Sequence, residues 1–282
     1  MSNISLAAKA VRSAVAGVLA AASFNVMAAP VNTWAFEIDS GFTSFAPQGG
    51  VTGSQFNPTF NPGAPSLLSW GTSPNGPSSL GVGASTQGHF QGNVSTNGPL
   101  VPTVQVIHTN NQIAGVTLDI ATLSDRIILT RTSPLPTGSP LPLSLNFDIN
   151  FQETDNQVPL ANCVVSSSPT ACNDIFVIDV AGAGFNPANN TLTQPFSYEG
   201  DNYTAVLSIA GLGPLPAAVC ADAGAAPGCI GFTTIEDQTN TFQVSLGILF
   251  EPPSTVPEPA SLGLVGLAML GLGVSRRRRT GN

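Results

Sequence analysis

Basic side chains are nearly missing from the middle of this chain. Of the eight lysines and arginines, six lie within the first 12 or the last seven residues, so the segment between them carries only Arg126 and Arg131. The same segment contains fifteen aspartates and glutamates, from Glu37 to Glu251, so its formal charge is −13. A surface of that sign repels nucleic-acid phosphates and anionic lipid headgroups. We therefore expect no nucleic-acid partner.

Residue patterns of catalytic sites are also scarce. The chain has two histidines, His89 and His108, and it lacks both the G-x-S-x-G nucleophile elbow and the H-E-x-x-H zinc pair. Glu153 and Asp155 would share one face if their strand continues, and such a pair could serve a hydrolase or bind calcium. Because the EF-hand spacing is absent, a solvated acidic loop is favoured. We expect no catalytic residue, no metal and no cofactor.

Charged residues make up only 9% of the chain, whereas it has 29 glycines and 24 prolines, a composition that favours turn-rich β structure. Apolar and polar residues alternate over 143–152 and 242–250, as in half-buried strands. Weaker strand signals lie at 32–38, 104–108, 115–120, 126–130, 175–180, 203–209 and 231–235. Prolines over 134–142 argue against a central strand there, and 40–98 has the composition of loops and turns. The sequence predicts an all-β, antiparallel, jelly-roll-like β-sandwich with long loops rich in Gly, Pro, Ser and Asn, spanning residues 29–250 as one exported domain.

The four cysteines form two pairs with identical spacing, Cys163 with Cys172 and Cys220 with Cys229. Eight residues separate the partners each time, which favours two local disulfides in an oxidising compartment. A four-thiolate metal site would need tighter C-x-x-C knuckles. Both enclosed loops are rich in small residues and proline, so we expect the bridges to close the tips of hairpins.

The first 28 residues have the layout of a secretory signal peptide. Lys9 and Arg12 precede an apolar run over 15–22, and small residues follow up to Ala28. We expect a signal helix over 1–28 that directs the chain to the Sec machinery and is cut by signal peptidase after Ala28.

The other end of the sequence has three successive parts. A linker over 251–259 contains Pro257, Glu258 and Pro259, and residues 260–275 carry no charge. As a helix these 16 residues would be about 24 Å long, enough to span a locally thinned bilayer. The tail 276–282 begins with four arginines, which place it in the cytoplasm by the positive-inside rule: Arg276, Arg277, Arg278 and Arg279.

This tripartite pattern resembles the PEP-CTERM sorting signal of Gram-negative bacteria. The resemblance implies that an exosortase recognises and removes the tail at the inner membrane, where the precursor is held transiently. The body then moves to the cell surface or the extracellular matrix. The resemblance covers about a tenth of the chain and assigns no chemistry to the body.

A second resemblance lies in the body. The run over 106–113 resembles the T-H-x-N signature of a PEP-CTERM family, with His108 and Asn110 matching and Ile107 in place of the threonine. That family implies an exported, exosortase-processed β-domain of undefined activity. Physically, we expect His108 to end a strand and to hydrogen-bond backbone groups of the following turn.

Two functions from different classes remain open. The first is a non-enzymatic cell-surface or extracellular-matrix protein, associated with exopolysaccharide or a biofilm envelope. The second is a secreted carbohydrate-binding or hydrolytic domain that uses acidic residues, with or without calcium. Buried Trp34 and Trp70 would remove the natural sugar-stacking platform. An open cleft with Glu153 about 5–9 Å from another carboxylate would favour a glycosidase.

Overall fold

The computed structural model describes residues 29–57, 60, 63–83, 87–167, 171–181 and 183–252. The predicted signal peptide over 1–28, the predicted transmembrane helix over 260–275 and the arginine tail over 276–282 lie outside the described residues. Among the helices that are described, none has the length and apolar character needed to cross a membrane.

The described chain consists mainly of β-strands. In chain order, β1 to β15 are Thr33–Ala46, Val51–Phe56, Pro65–Trp70, Ser78–Val82, His89–Ser95, Val101–Asn110, Ile120–Ser133, Leu141–Gln152, Asp174–Ala181, Gly184–Asn186, Thr191–Tyr198, Asp201–Ile209, Gly213–Pro214, Ile230–Thr234 and Gln238–Glu251. A 3-10 turn at Leu160–Asn162 precedes β9, and the helix α1 at Ala217–Asp222 lies between β13 and β14.

The strands form two sheets whose paired strands are all antiparallel. Sheet A has the order β13-β14-β9-β8-β7-β1-β5, and sheet B has the order β10-β11-β12-β15-β6-β4-β3-β2. Apolar side chains from both sheets meet in one core. The predicted all-β architecture of antiparallel sheets is therefore confirmed, while the finer jelly-roll description stays a prediction.

Alternation along β8 shows how the sequence builds this core. Leu143, Leu145, Phe147, Ile149 and Phe151 are buried, and the polar residues between them are exposed. Each fully buried side chain of this kind contributes about 1.5–3 kcal/mol through removal of apolar surface from water. The strands predicted at 143–152 and 242–250 are confirmed as parts of β8 and β15.

One loop prediction and one strand prediction are wrong. The segment 40–98, expected to be loose, contains β2 to β5 and the second half of β1. Those strands hold few β-branched residues, so propensity did not reveal them, and they form through pairing at the edges of the sheets. Conversely, 115–119 forms no strand, since Gly115 has φ +97° and the extended chain resumes only at Ile120.

Pro142 also differs from expectation, because it lies inside β8. Its register partner is Ile128 of β7, whereas the pairing of β8 with β9 begins only at Asn146. At Pro142 the strand is therefore still an edge strand on one side, where the missing N–H costs no ladder hydrogen bond.

Candidate functional site

Three acidic side chains come together at one end of the sandwich; we call Glu153, Asp174 and Glu236 the carboxylate cluster. Glu153 follows β8, Asp174 begins β9, and Glu236 lies in the connection from β14 in sheet A to β15 in sheet B. Strand pairing brings them together, because β9 lies between β8 and β14. One carboxylate oxygen of each residue lies within 4.8 Å of the other two.

The carboxylate cluster is withdrawn from water. Asp174 is 0% exposed and Glu236 is 2% exposed, and both carboxylate oxygens of the partly buried Glu153 are enclosed. Burial, followed by the charge of Glu236, raises the pKa of Glu153 to about 8. Burial and the neighbouring Asp237 raise the pKa of Glu236 to about 7. Burial, followed by the charge of Glu153, raises the pKa of Asp174 well above its usual value.

Amide side chains complete the surroundings of the cluster. Asn110, at the end of β6, is 0% exposed, and neither its amide nitrogen nor its amide oxygen has a hydrogen-bond partner among the described residues. The Asn110 and Asn156 amides lie close enough to Glu236 to lower its pKa somewhat, although they fall short of good hydrogen-bond geometry. Buried polar groups left unpaired in this way are rare in folded proteins.

Short-range hydrogen bonds hold the segments that carry the cluster. The backbone N–H of Thr154 donates to Asp174 Oδ1 at 2.8 Å, which ties the segment after β8 to the start of β9. Asn240, near the start of β15, accepts from the backbone N–H of Ile235 in the preceding turn and donates to its carbonyl, both at 3.0 Å. The positions of Asp174 and Glu236 are thus fixed by local contacts.

His108 lies in the core and not at a turn, which corrects the expectation from sequence. Its Nδ1 lies 3.0 Å from the hydroxyl oxygen of Thr234, so the pair joins β6 of sheet B to β14 of sheet A. The imidazole stacks on Trp70 and makes edge contacts with Phe151 and Phe176. Burial lowers the pKa of His108 to about 3, so this residue is neutral and supplies no positive charge to the cluster.

A second acidic group lies where β1 meets its neighbours. Glu37, Asp39 and His89 bring potential ligand atoms together, but Asp39 already has close partners. Arg126 Nη2 lies 2.5 Å from Asp39 Oδ2, His89 Nδ1 lies 2.8 Å from Asp39 Oδ1, and Asn57 donates to the same Oδ1 at 2.9 Å. The buried carboxylate of Asp39 thus has a cationic partner within the protein, unlike the carboxylate cluster.

Both expected disulfides are present, with Cα–Cα separations of 5.3 Å for Cys163–Cys172 and 5.9 Å for Cys220–Cys229. The first lies in the connection between the paired strands β8 and β9. The second lies between β13 and β14, and its Cys220 is on α1, so this loop contains a helix and is not a plain hairpin tip.

Glu153 and Asp155, which the sequence predicted on one face of a strand, differ in their surroundings. β8 ends at Gln152, so Glu153 and Asp155 do not continue one strand face, and Asp155 is exposed while the Glu153 carboxylate turns inward. The expectation of a solvated acidic loop is therefore wrong for Glu153. The sequence did not reveal Glu236 as a partner of Glu153, since the two are 83 positions apart and no short motif joins them.

The tryptophans and the cluster bear on the carbohydrate hypothesis. Trp34 is 0% exposed and Trp70 is 1% exposed, so neither provides a stacking surface. The cluster is enclosed, with carboxylate oxygens closer together than the 5–9 Å expected of a glycosidase cleft.

Comparison with known proteins adds information on the tail. A family model described as the PEP-CTERM protein-sorting motif matches residues 255–279. This match contains the predicted motif residues 257–259 and the arginines 276–279, which lie outside the described residues. No curated protein shows significant sequence similarity to the chain. The motif implies an exported precursor anchored in the membrane of the cell envelope and processed by exosortase. The chain thus carries a PEP-CTERM protein-sorting motif and is an exosortase-targeted exported protein.

Proposed function

We propose that the β-domain is a non-enzymatic component of the cell surface or extracellular matrix, released from the inner membrane when exosortase removes the tail. In this proposal, signal peptidase and the Sec machinery act first, and the mature domain then takes its place in an envelope or biofilm rich in exopolysaccharide. The observation that carries the proposal is the sorting motif over 255–279.

The sequence around the motif supports processing after export. Pro257 and Pro259 flank Glu258, and prolines at this spacing keep the backbone extended, which is the state a protease requires. The uncharged segment 260–275 would hold the motif at the membrane surface, and the following arginines would fix its orientation.

The character of the domain supports a role without catalysis. Three of its acids are enclosed in the carboxylate cluster, where a polymeric substrate has no access, and both tryptophans are in the core. The exported segment carries fifteen acidic residues against two arginines, which favours solubility in a hydrated, cation-containing matrix. The alternative, a carbohydrate-binding or hydrolytic domain, lacks an exposed tryptophan among the described residues.

The proposal is tested by replacing residues 257–259 with three alanines in cells that express exosortase. Insertion should persist because hydrophobicity drives it, but full-length protein should accumulate in the inner membrane. Mass spectrometry of cell fractions should find wild-type protein ending near residues 256–259. The matched control replaces Pro252 and Pro253 with alanine, which keeps the motif intact and should leave processing unchanged.

Cells that lack this protein test the matrix role separately. They should retain less exopolysaccharide at the cell surface, and wild-type protein should restore it, whereas the alanine-substituted tail variant should not. Wild-type protein that still carries residues 276–279 in the extracellular fraction would refute processing. Unchanged exopolysaccharide retention in the deletion strain would refute the matrix role.

A further inference from the structure

We propose that Glu153, Asp174 and Glu236, together with Asn110, form a buried Ca²⁺ site that fastens one end of the β-domain. This site goes beyond the proposed surface role and does not depend on it. Three features of these residues support the site: uncompensated charge, unpartnered ligand atoms and the short distances between them.

The first observation is the lack of a positive partner for the carboxylate cluster. Among the described residues the lysines and arginines are Arg126 and Arg131 alone, and these pair with Asp39 and Glu199 respectively. Buried carboxylates without a counter-charge are strongly disfavoured, and in proteins they are paired or bind metal ions. A divalent cation would offset two of the three charges that the cluster carries when it is fully ionised.

The second observation is independent of charge. Asn110 is fully buried beside Glu236, and neither atom of its amide group has a partner. The cluster has five enclosed carboxylate oxygens without hydrogen-bond partners: both of Glu153, both of Glu236 and Asp174 Oδ2. Asn110 and Asn156 lie beside Glu236, and their amide oxygens are enclosed and unpartnered as well. Ca²⁺ takes six to eight oxygen ligands, and carboxylates combined with amide carbonyls are its usual set.

The distances suit this ion. Oxygens on opposite sides of a bound Ca²⁺ are about 4.8 Å apart, since each lies about 2.4 Å from the ion. The three carboxylates offer oxygens within 4.8 Å of one another, so a single ion can contact all of them. No imidazole or thiolate belongs to this set, which disfavours zinc, and Mg²⁺ usually keeps several waters that this enclosed site would have to accommodate.

A bound ion would connect parts of the fold that are distant in sequence. Glu153 and Asp174 lie at the two ends of the β8–β9 connection, Glu236 lies in the crossover from sheet A to sheet B, and Asn110 ends β6 of sheet B. Calcium binding is therefore linked to folding, because the site exists only when both sheets are in place. This coupling would favour completion of the fold after export, where calcium is abundant.

The first test is a titration of the full-length protein, purified in detergent, with CaCl₂ and then with a chelator. Calorimetry should find one ion per chain, and calcium should raise the thermal transition by several degrees. Glu236→Gln should weaken calcium binding at least tenfold. The matched control is Asp155→Asn, which removes an exposed acid from the same neighbourhood and should leave affinity within twofold of wild type.

The sign of the stability change distinguishes a metal site from a merely structural cluster. In chelator, Glu236→Gln should melt at or above the wild type, because an amide adds no charge to three crowded, buried carboxyl groups. In saturating calcium the order should reverse, because the variant loses a ligand. A variant that melts below the wild type by the same amount in both conditions would overturn the proposal, as would a wild-type transition that calcium does not move.

Terbium luminescence locates the ion. Tb³⁺ replaces Ca²⁺ at oxygen sites, and a nearby indole sensitises its emission. The Trp70 indole N–H lies close to Glu153. Trp34 is far from the site, because its register partner on β7 is Arg131. The end of β7 near the site is Ile120, eleven residues from Arg131. That separation along the strand is about 37 Å.

Sensitised emission should therefore disappear in Trp70→Phe and persist in Trp34→Phe, and added calcium should quench it in the wild type. Emission that survives Trp70→Phe, or that is lost only in Trp34→Phe, would place the ion elsewhere and refute this site. Calorimetry on Trp70→Phe should still find one calcium ion, which separates loss of the sensitiser from loss of the fold.

Discussion

The hydrogen bond between His108 and Thr234 should be a main link between the two sheets. Both residues are 0% exposed, and their side chains meet at 3.0 Å across the core. Replacing one partner with an apolar residue leaves the other as a buried polar group without a partner. His108→Phe keeps an aromatic ring in the pocket of Trp70, Phe151 and Phe176, and Thr234→Val keeps the branched shape.

The expected magnitude follows from this geometry. Each single substitution should lower the free energy of unfolding by about 1–3 kcal/mol, which is the penalty for one unsatisfied buried group. The double variant should lose much less than the sum, since neither polar group remains. We expect a coupling free energy of about 2 kcal/mol. His108→Ala should cost more, about 3–5 kcal/mol, because it also leaves a cavity between the aromatic rings.

Denaturant unfolding of the four proteins of the cycle, with disulfides intact and calcium held constant, measures this coupling. Phenylalanine is larger than histidine, but any overpacking appears in both variants that contain it and cancels in the cycle. If the two single losses simply add, with a coupling below about 0.5 kcal/mol, the hydrogen bond between His108 and Thr234 does not link the sheets.

Two further predictions concern single features of the domain. Burial raises the pKa of Asp125 to about 6, so the stability that comes from the protonated form is present below pH 4 and is lost as the pH rises through 6. The unfolding free energy of Asp125→Asn should thus exceed that of the wild type by up to about 3 kcal/mol at pH 8 and equal it at pH 4. An equal difference at both pH values would show that the raised pKa of Asp125 is not the cause. Replacing Cys220 and Cys229 with alanine should lower the unfolding free energy by about 2–3 kcal/mol because the nine-residue closure is lost from the unfolded chain. Unfolding at an unchanged denaturant midpoint would contradict that.

The features that the sequence predicted correctly are local ones. The sorting motif over 255–279 is a linear signal, so its residues identify it without a fold. Each disulfide joins cysteines nine positions apart, and this local pairing is the simplest of the possible pairings of four cysteines. The strand β8 alternates strictly and β15 does so over part of its length, and alternation is a property of neighbouring residues.

Only the tertiary structure decided which faces and strand ends meet. Alternation places His108 and Asn110 on one face of β6, but it does not reveal that this face meets Thr234 and Glu236 from across the sandwich. The carboxylate cluster depends on the order β8-β9-β14 in sheet A and on the crossover to β15, which no short-range pattern encodes. The sequence by itself therefore determined the destination of this protein, because a sorting enzyme reads an extended segment. Its buried polar chemistry was decided by tertiary structure, because the participating groups are brought together only by long-range strand pairing.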